Sequence, residues 1–282
     1  MLVLLSGGRD SVCLLDVAVL LGARVRALHV DFGLRPASAE DAASCERLCE
    51  RLRVPLEVEH VARPEGTGNL HAWARDVRYG LAARAGVPVA TGHTRTDQAE
   101  TVLYRLAASP GRRALLGMAP GDGRLVRPLL DVSREETAAW CASRGLPWRE
   151  DAANDDPAFA RARVRGGLVP ALEAVHPAAV QNVARTAELL RDEAAVLDEV
   201  VGEVLEGGAS IEAARLAALP RALARLVLRR LCEDAVGGLC GRAAGRLDEV
   251  LALAPDGALD LGDGARAVLR RGVLTVLRTP PR

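Results

Sequence analysis

The sequence predicts an α/β protein in which helices cover both faces of a parallel sheet, followed by a smaller, mostly helical part. Three observations carry this. Through the first half, short β-type runs alternate with helical patterns. The first run, residues 2–5, is wholly apolar and ends at a glycine pair that opens a helix. From about residue 180 the alternation gives way to long helical stretches.

In order, strands are expected at 2–5, 24–30, 54–60 and 87–91, with helices at 11–22, 38–52, 69–85 and 95–108. The 38–52 stretch places Ala, Cys and Leu on one stripe and Glu, Arg and Asp opposite, the pattern of an amphipathic helix. Residues 109–124 are rich in Gly and Pro and read as a mobile loop, with a last strand at 126–130. Ser133 and Glu136 form a capping box for a helix over 133–144, which Gly145 and Pro147 end. Helices at roughly 181–206, 210–234 and 239–253 follow, then alternation at 258–260 and 267–277. The junction falls between Pro177 and Arg191, giving a first domain over 1–188 and a mostly helical domain over 189–282 that ends in a short β element.

Composition excludes several function classes. All 37 basic residues are arginine, balanced by 37 acidic ones. Without lysine there is no Walker-type phosphate lysine, no Schiff base and no lysine-dependent adenylating ligase, so phosphate binding falls to backbone amides, helix N-termini and arginine. The six cysteines include no C-x-x-C, which leaves a zinc ribbon, an iron–sulfur cluster and a dithiol pair unsupported, and buried free thiols are expected. No apolar stretch reaches the roughly 18 residues of a membrane span, and no export signal is present, so the cytoplasm is the default.

Four segments carry chemistry. Ser6-Gly7-Gly8-Arg9-Asp10-Ser11 follows a buried strand and starts a helix. Glycines let backbone pack against a phosphate, and the new helix offers unpaired N–H groups at its positive end. Both serine hydroxyls can donate to phosphate oxygens, whereas Asp10 has the wrong charge unless a divalent cation intervenes, which implies Mg²⁺. His93, Asp97 and Glu100 are spaced i, i+4, i+7 and would share a helix face after a strand exit. A third segment is Ala74-Arg75-Asp76-Val77-Arg78-Tyr79. The fourth runs from Trp148-Arg149-Glu150-Asp151 through Asn154, Asp156 and Phe159 to Arg161, Arg163 and Arg165, three arginines that could clamp phosphates. Each segment also has a bland reading: a plain turn, a solvated polar stripe or a basic edge.

The first segment resembles the S-G-G-x-D-S loop of the N-type ATP pyrophosphatase (PP-loop) superfamily. The segments in this order, with His29-Val30-Asp31-Phe32-Gly33-Leu34-Arg35 and an R-P-L-L sequence, resemble the tRNA(Ile)-lysidine synthetase family. The likeness is dense over residues 1–188 and loose beyond. Three departures stand out: Ala162 replaces a usual Asn, Ser109-Pro110-Gly111 replaces a glycine-rich loop, and the family usually has residues ahead of the first strand, so the start is expected to be misassigned or truncated.

That resemblance implies a PP-loop (adenine nucleotide α-hydrolase-like) domain that uses ATP and Mg²⁺ to join free L-lysine to C2 of the wobble cytidine of tRNA(Ile) with a CAU anticodon. Ser6, Gly7, Gly8, Arg9, Asp10 and Ser11 would hold ATP, with Asp10 on the metal. Arg75, Arg161 and Arg163 would join them, and His93, Asp97 and Glu100 would bind the lysine ammonium groups and take the proton. Arg215, Arg221, Arg225, Arg229 and Arg230 of the tail would grip tRNA, or would be ordinary surface arginines. A homodimer stays open as an assembly. The rival readings are a tRNA thiolase, another PP-loop synthetase, and a nucleotide-binding module without chemistry.

Overall fold

β1 (Leu2–Leu4) is buried along its whole length, and the first sheet grows outward from it. On one side β2 (Arg26–Asp31) and then β3 (Leu56–His60) pair parallel to it; on the other β4 (Val89–Ala90) does. Beyond β4 lies a hairpin edge formed by β5 (Gly121–Asp122) and β6 (Leu125–Val126), of which β6 is parallel to β4 and β5 antiparallel. The order is β3-β2-β1-β4-β6-β5. The computed structural model describes all residues except 35–37, 65–67, 69, 110, 151–155, 157 and 280–282. It divides into two compact units, Met1–Arg191 and Asp192–Arg282.

Alternation along β1 separates the core into two layers, because successive strand side chains point to opposite faces. Val3 and Leu5 join Ala27 and Ala90 against α1 (Arg9–Leu20), α2 (Ser38–Leu52) and α6 (Arg134–Ser143), which supply Leu15, Leu48 and Cys141. Leu2 and Leu4 join Leu28 and Val89 against Ala82 and Tyr79 of α3 (Leu70–Arg84). α4 (Arg95–Ala108) follows β4. A strand buried on both faces is what a parallel sheet requires, so the continuous apolar run at the N-terminus is read correctly. α6 (Arg134–Ser143) starts at the expected Ser133–Glu136 capping box.

Two expectations fail between residues 109 and 130. The segment read as a mobile loop holds α5 (Arg112–Leu115) and β5, and its backbone from Leu116 to Ala119 is stapled by side chains. Gln98 bonds Met118 through both amide atoms (2.7 and 2.9 Å), while Arg191, Arg105 and Arg127 donate to the carbonyls of Leu116, Gly117 and Ala119. Gly117 (φ +59°) is needed there, since a Cβ would stand 2.6 Å from the Gln98 amide. The last strand ends at Val126 because Pro128 has no N–H for a ladder, and the chain turns instead.

After α6 come α7 (Ala160–Arg163), a π-helical stretch Val164–Leu168 and α8 (Val169–Val175). The division between the units falls within α9 (Ala179–Leu205). The second unit is less helical than the sequence suggests. Residues 210–212 form β7 (Ser210–Glu212), not the start of a helix, and pair with β10 (Val273–Arg278) in an antiparallel sheet of order β7-β10-β9-β8. β8 (Ala258–Gly262) and β9 (Ala265–Arg270) complete it. α10 (Ala213–Ala218) stops before Pro220, which leads α11 (Arg221–Val236), and α12 (Leu247–Leu251) follows a 3₁₀ turn. Val227, Leu228 and Leu231 of α11 pack on Ala265, Ala267 and Leu274 of the sheet.

The loops leaving β1 and β4 meet at Gly92. A Cβ there would lie 2.8–2.9 Å from the Asp10 carbonyl and the Ser11 nitrogen, both of them backbone. Gly92→Ala is therefore expected to lower the unfolding free energy, read from denaturant titration, by about 1–3 kcal/mol, the usual range for overpacking. Gly80→Ala in α3, where a Cβ meets nothing within 4 Å, should not.

Candidate active site

The strand order reverses between β1 and β4, and ligands of open parallel sheets bind outside the strand ends at that point. After β1 the chain turns through Gly7 (φ +80°), and α1 begins with Gly8 as an N-cap that makes no side-chain capping bond. Ser6 and Ser11 hydroxyl oxygens lie 3.1 Å apart; Gly8 N–H donates to Ser6 Oγ, and Ser11 Oγ donates to the Gly8 carbonyl at 2.8 Å. A Cβ on Gly7 would stand 3.3 Å from Cys45 Sγ, so the turn lies close against α2. The result is a first helical turn without a side-chain cap, with two hydroxyls beside it, a ready seat for phosphate.

Neighbours hold this turn in shape. Arg149 donates its N–H to the Gly7 carbonyl (3.0 Å), and its guanidinium pairs with Glu40 (2.9 Å) and Asp41 (2.7 Å) at the start of α2. His29, buried, sits with Nδ1 2.8 Å from the Leu5 carbonyl, which can only accept, so Nδ1 carries the proton. Of its motif, Phe32 meets Trp73 edge-on at 5.2 Å and lies under the Arg78 guanidinium, whereas Arg35 is outside the described residues.

Asp10 faces three partners. Thr137 Oγ1 donates to its Oδ1 at 2.5 Å, Arg9 Nε lies 3.5 Å from Oδ1, and Arg134 Nε lies 3.8 Å from Oδ2. Both of those Nε atoms are buried without a hydrogen bond. Burial raises the Asp10 pKa above the ordinary carboxylate value, the Thr137 bond opposes this, and the Asp97 charge adds to the rise. The carboxylate and two guanidinium groups leave net positive charge, so a cation is accepted here only together with phosphate.

The expected helix face of His93, Asp97 and Glu100 is not one face. α4 starts at Arg95 with Thr94 as N-cap, so His93 precedes the helix. Asp97 is the capping-box residue, its Oδ2 accepting from Thr94 N–H and Oγ1, both at 2.9 Å. Glu100 is 1% exposed and is gripped bidentately by Arg165 (2.6 and 2.9 Å). His93 is the member left available. Its Nδ1 bonds Thr91 Oγ1 at 2.8 Å, and its pKa is pushed down to about 4, first by burial and then by Arg127, Arg75 and Arg161, with Asp97 opposing.

The three-arginine clamp does not form as one unit. Arg161 reaches Thr101 Oγ1 (3.2 Å) and Arg165 reaches Glu100, both on α4, while Arg163 donates to the Ala158 carbonyl. Asp151 and Asn154 of that block are outside the described residues. A different basic group gathers instead: Arg75, Arg127 and Arg161 act electrostatically on His93 and also on Arg105. Arg75 stacks 5.1 Å over the Tyr79 ring, and Arg127 is buried with an Nε that makes no hydrogen bond. Converging guanidinium groups beside a neutral imidazole form an anion seat. Sequence reasoning missed Thr137, Arg134 and Arg105, which belong to no motif. All six cysteines are free and buried, and burial pushes Cys13 and Cys45 up to about 12. Among the described residues no three His, Cys, Asp or Glu side chains group to hold a metal ion.

Removing Arg165 would leave the buried Glu100 carboxylate unpaired. Arg165→Met is expected to destabilise the fold by about 3–5 kcal/mol in denaturant titration.

A family model described as a PP-loop domain matches residues 1–172. A tRNA(Ile)-lysidine synthase from Solibacter usitatus is 41% identical over 265 residues, covering 88% of this chain, which spans only 60% of that longer relative. One from Salinispora tropica is 40% identical over 98% of this chain and 90% of its own length, and one from Leifsonia xyli subsp. xyli 39% over 96% and 87%. Among solved structures, the U34-tRNA thiolase NcsA from Methanococcus maripaludis superimposes with a TM-score of 0.57 at 19% identity, over 67% of this chain and 71% of that one, a likeness of fold alone. With a glycine turn opening a helix after β1, a histidine bonded to Thr91 after β4 and relatives about 40% identical over nearly all of its length, the chain belongs to the tRNA(Ile)-lysidine synthase family of PP-loop proteins.

Proposed function

We infer that the chain is an ATP-dependent ligase that joins the side-chain amine of free L-lysine to C2 of the wobble cytidine of tRNA(Ile) with a CAU anticodon, giving lysidine. The observation that carries this reading is the backbone contact of Gly92 with Asp10 and Ser11, which sets the phosphate turn beside the His93 loop. In the first half-reaction the C2 oxygen bonds to the α-phosphorus of ATP and pyrophosphate leaves. In the second, the amine nitrogen bonds to C2, and AMP departs with the oxygen.

The first half-reaction requires charge stabilisation on the phosphates. The amides of the first turn of α1 and the hydroxyls of Ser6 and Ser11 supply donors, and the Nε atoms of Arg9 and Arg134 have no hydrogen bond of their own. Mg²⁺ usually binds through one or two carboxylates plus substrate phosphates, a set that Asp10 fits, and when bound it neutralises phosphate charge. Asp10 would hold it, with Thr137 fixing the carboxylate orientation. Arg75, Arg127 and Arg161 provide a second seat for anionic groups around His93.

The second half-reaction needs a proton acceptor, since a lysine ammonium titrates at about 10.4 in water. Glu100 and Asp97 are engaged by Arg165 and by the helix cap, which supports His93 as the acceptor. Anionic substrate beside Arg75, Arg127 and Arg161 offsets the charges that lower the His93 pKa, so binding itself makes the imidazole more basic. A thiolase reading would need reactive thiols, and every cysteine here is buried and free. In the second unit Arg215, Arg221 and Arg230 form exposed ion pairs with Glu206, Asp248 and Asp234, pairs weak enough for tRNA phosphates to displace.

The direct test is mass spectrometry of a tRNA(Ile) transcript incubated with ATP, Mg²⁺ and lysine. The expected result is a lysine-dependent mass gain with release of AMP; a gain of sulfur would overturn the reading. Asp10→Ala should abolish AMP formation while keeping the far-UV spectrum of the parent.

The lowered His93 pKa sets a pH expectation. A histidine depressed to about 4 is neutral in the free enzyme above pH 5, so kcat/KM for ATP in pyrophosphate release should show no break near 6.5. Because the unfolded chain binds that proton below about 6.5 and the folded chain only near 4, stability falls as pH drops across this window. His93→Gln should flatten that loss in urea titrations between pH 7 and 4.5.

A further inference from the structure

The chain has three Trp, two Tyr and two Phe, and two of these seven aromatics are more than a third exposed: Tyr104 (39%) and Phe159 (36%). Tyr104 lines a groove, and Phe159 is the sequence neighbour of Ala160, which lines it too. Tyr104 lies on α4, and Phe159 immediately precedes α7. Between α4 and α7 runs a groove of about 390 Å³ lined by Tyr104, Ala107, Ala108, Ala160, Arg163 and Leu168. The three alanines present no bulk, the phenol ring forms a wall, and Leu168 is 41% exposed on the lining.

A slot with an aromatic wall and a guanidinium on its rim has the chemistry that holds an unstacked nucleobase, whose π-face stacks while its phosphate meets arginine. Charge agrees with that occupant. Residues 101–115 and 158–164 contain no carboxylate but carry Arg105, Arg112, Arg113, Arg161 and Arg163, while Arg165 beyond them is paired with Glu100. The groove shares a helix with the candidate active site: α4 begins at the His93 loop, and Tyr104 lies seven residues past Asp97, about 10 Å along the axis.

We propose that this groove seats an unstacked base of the anticodon loop beside the nucleotide that is modified, with Tyr104 as its stacking face. The proposal rests on the ligase reading above. It makes Tyr104 a specificity residue for the RNA, acting at KM for tRNA with no part in the chemical step.

The test uses the full chain and tRNA(Ile) transcripts carrying 2-aminopurine at single anticodon-loop positions. The parent and Tyr104→Phe should quench the fluorophore at one position, and Tyr104→Ala should not. In steady state, Tyr104→Ala should raise KM for tRNA about tenfold, within the stacking range seen on alanine substitution. KM for ATP and for lysine should stay unchanged, and Tyr104→Phe should restore KM for tRNA. An active parent with no position quenched, or a Tyr104→Ala variant with parental KM for tRNA, overturns the groove and leaves the ligase reading standing. Tyr104-dependent quenching by a parent that forms no lysidine overturns the ligase reading and retains the groove as an RNA site. If light scattering shows a dimer that Tyr104→Ala dissolves, the occupant is a second copy and the proposal fails.

Discussion

Everything in the first unit that bears on chemistry depends on one contact between two pieces of main chain. The peptide joining Asp10 to Ser11 lies so close to Gly92 that no side chain fits between them. Main chain against main chain is a stiff contact, because neither partner can rotate away as a side chain would. It is also why β1 and β4, neighbours in space but some 85 residues apart in sequence, deliver their loops to a common point. The thin spacing at this crossing lets groups from α1, α6 and the β4 loop converge without any long side chain bridging them.

Around that crossing the polar groups divide into those that hold the frame and those left for ligands. Glu100 with Arg165, Asp97 with Thr94, and Arg149 with Glu40 and Asp41 are satisfied within the fold. Arg9, Arg134 and Arg127 each keep a buried Nε without a hydrogen bond. Buried donors without acceptors are unfavourable in an empty protein, and an arriving phosphate relieves that. The fold thus carries a small polar deficit where the anion is to go.

Much of this was legible in the sequence. Alternating runs specify the sheet, and the bounds of α2 and α4 follow from their periodicity. The turn after β1 is readable because glycine and small hydroxyl residues have few other reasons to follow a buried strand. Spacing could not show that His93 lies outside its helix, since a capping Thr94 intervenes and the i, i+4 rule presumes an unbroken helix. It also could not tell which arginines face inward: Arg161 and Arg165 turn toward α4, Arg163 does not, and a π-helical stretch changes the angular spacing beyond Arg163. Thr137 and the stapled 116–119 backbone are long-range pairings, which local pattern does not contain.

The six interior cysteines and the absence of lysine have a joint consequence for selectivity. A base activated as its AMP ester is an electrophile, and the strongest side-chain nucleophiles a protein could offer it are primary amines and thiolates. This chain has no side-chain amine at all. Every thiol is sealed inside, with those of Cys13 and Cys45 held in the protonated form by pKa values near 12. Under the ligase reading proposed above, no side-chain amine or thiolate of this chain would compete with an incoming amine for such an ester.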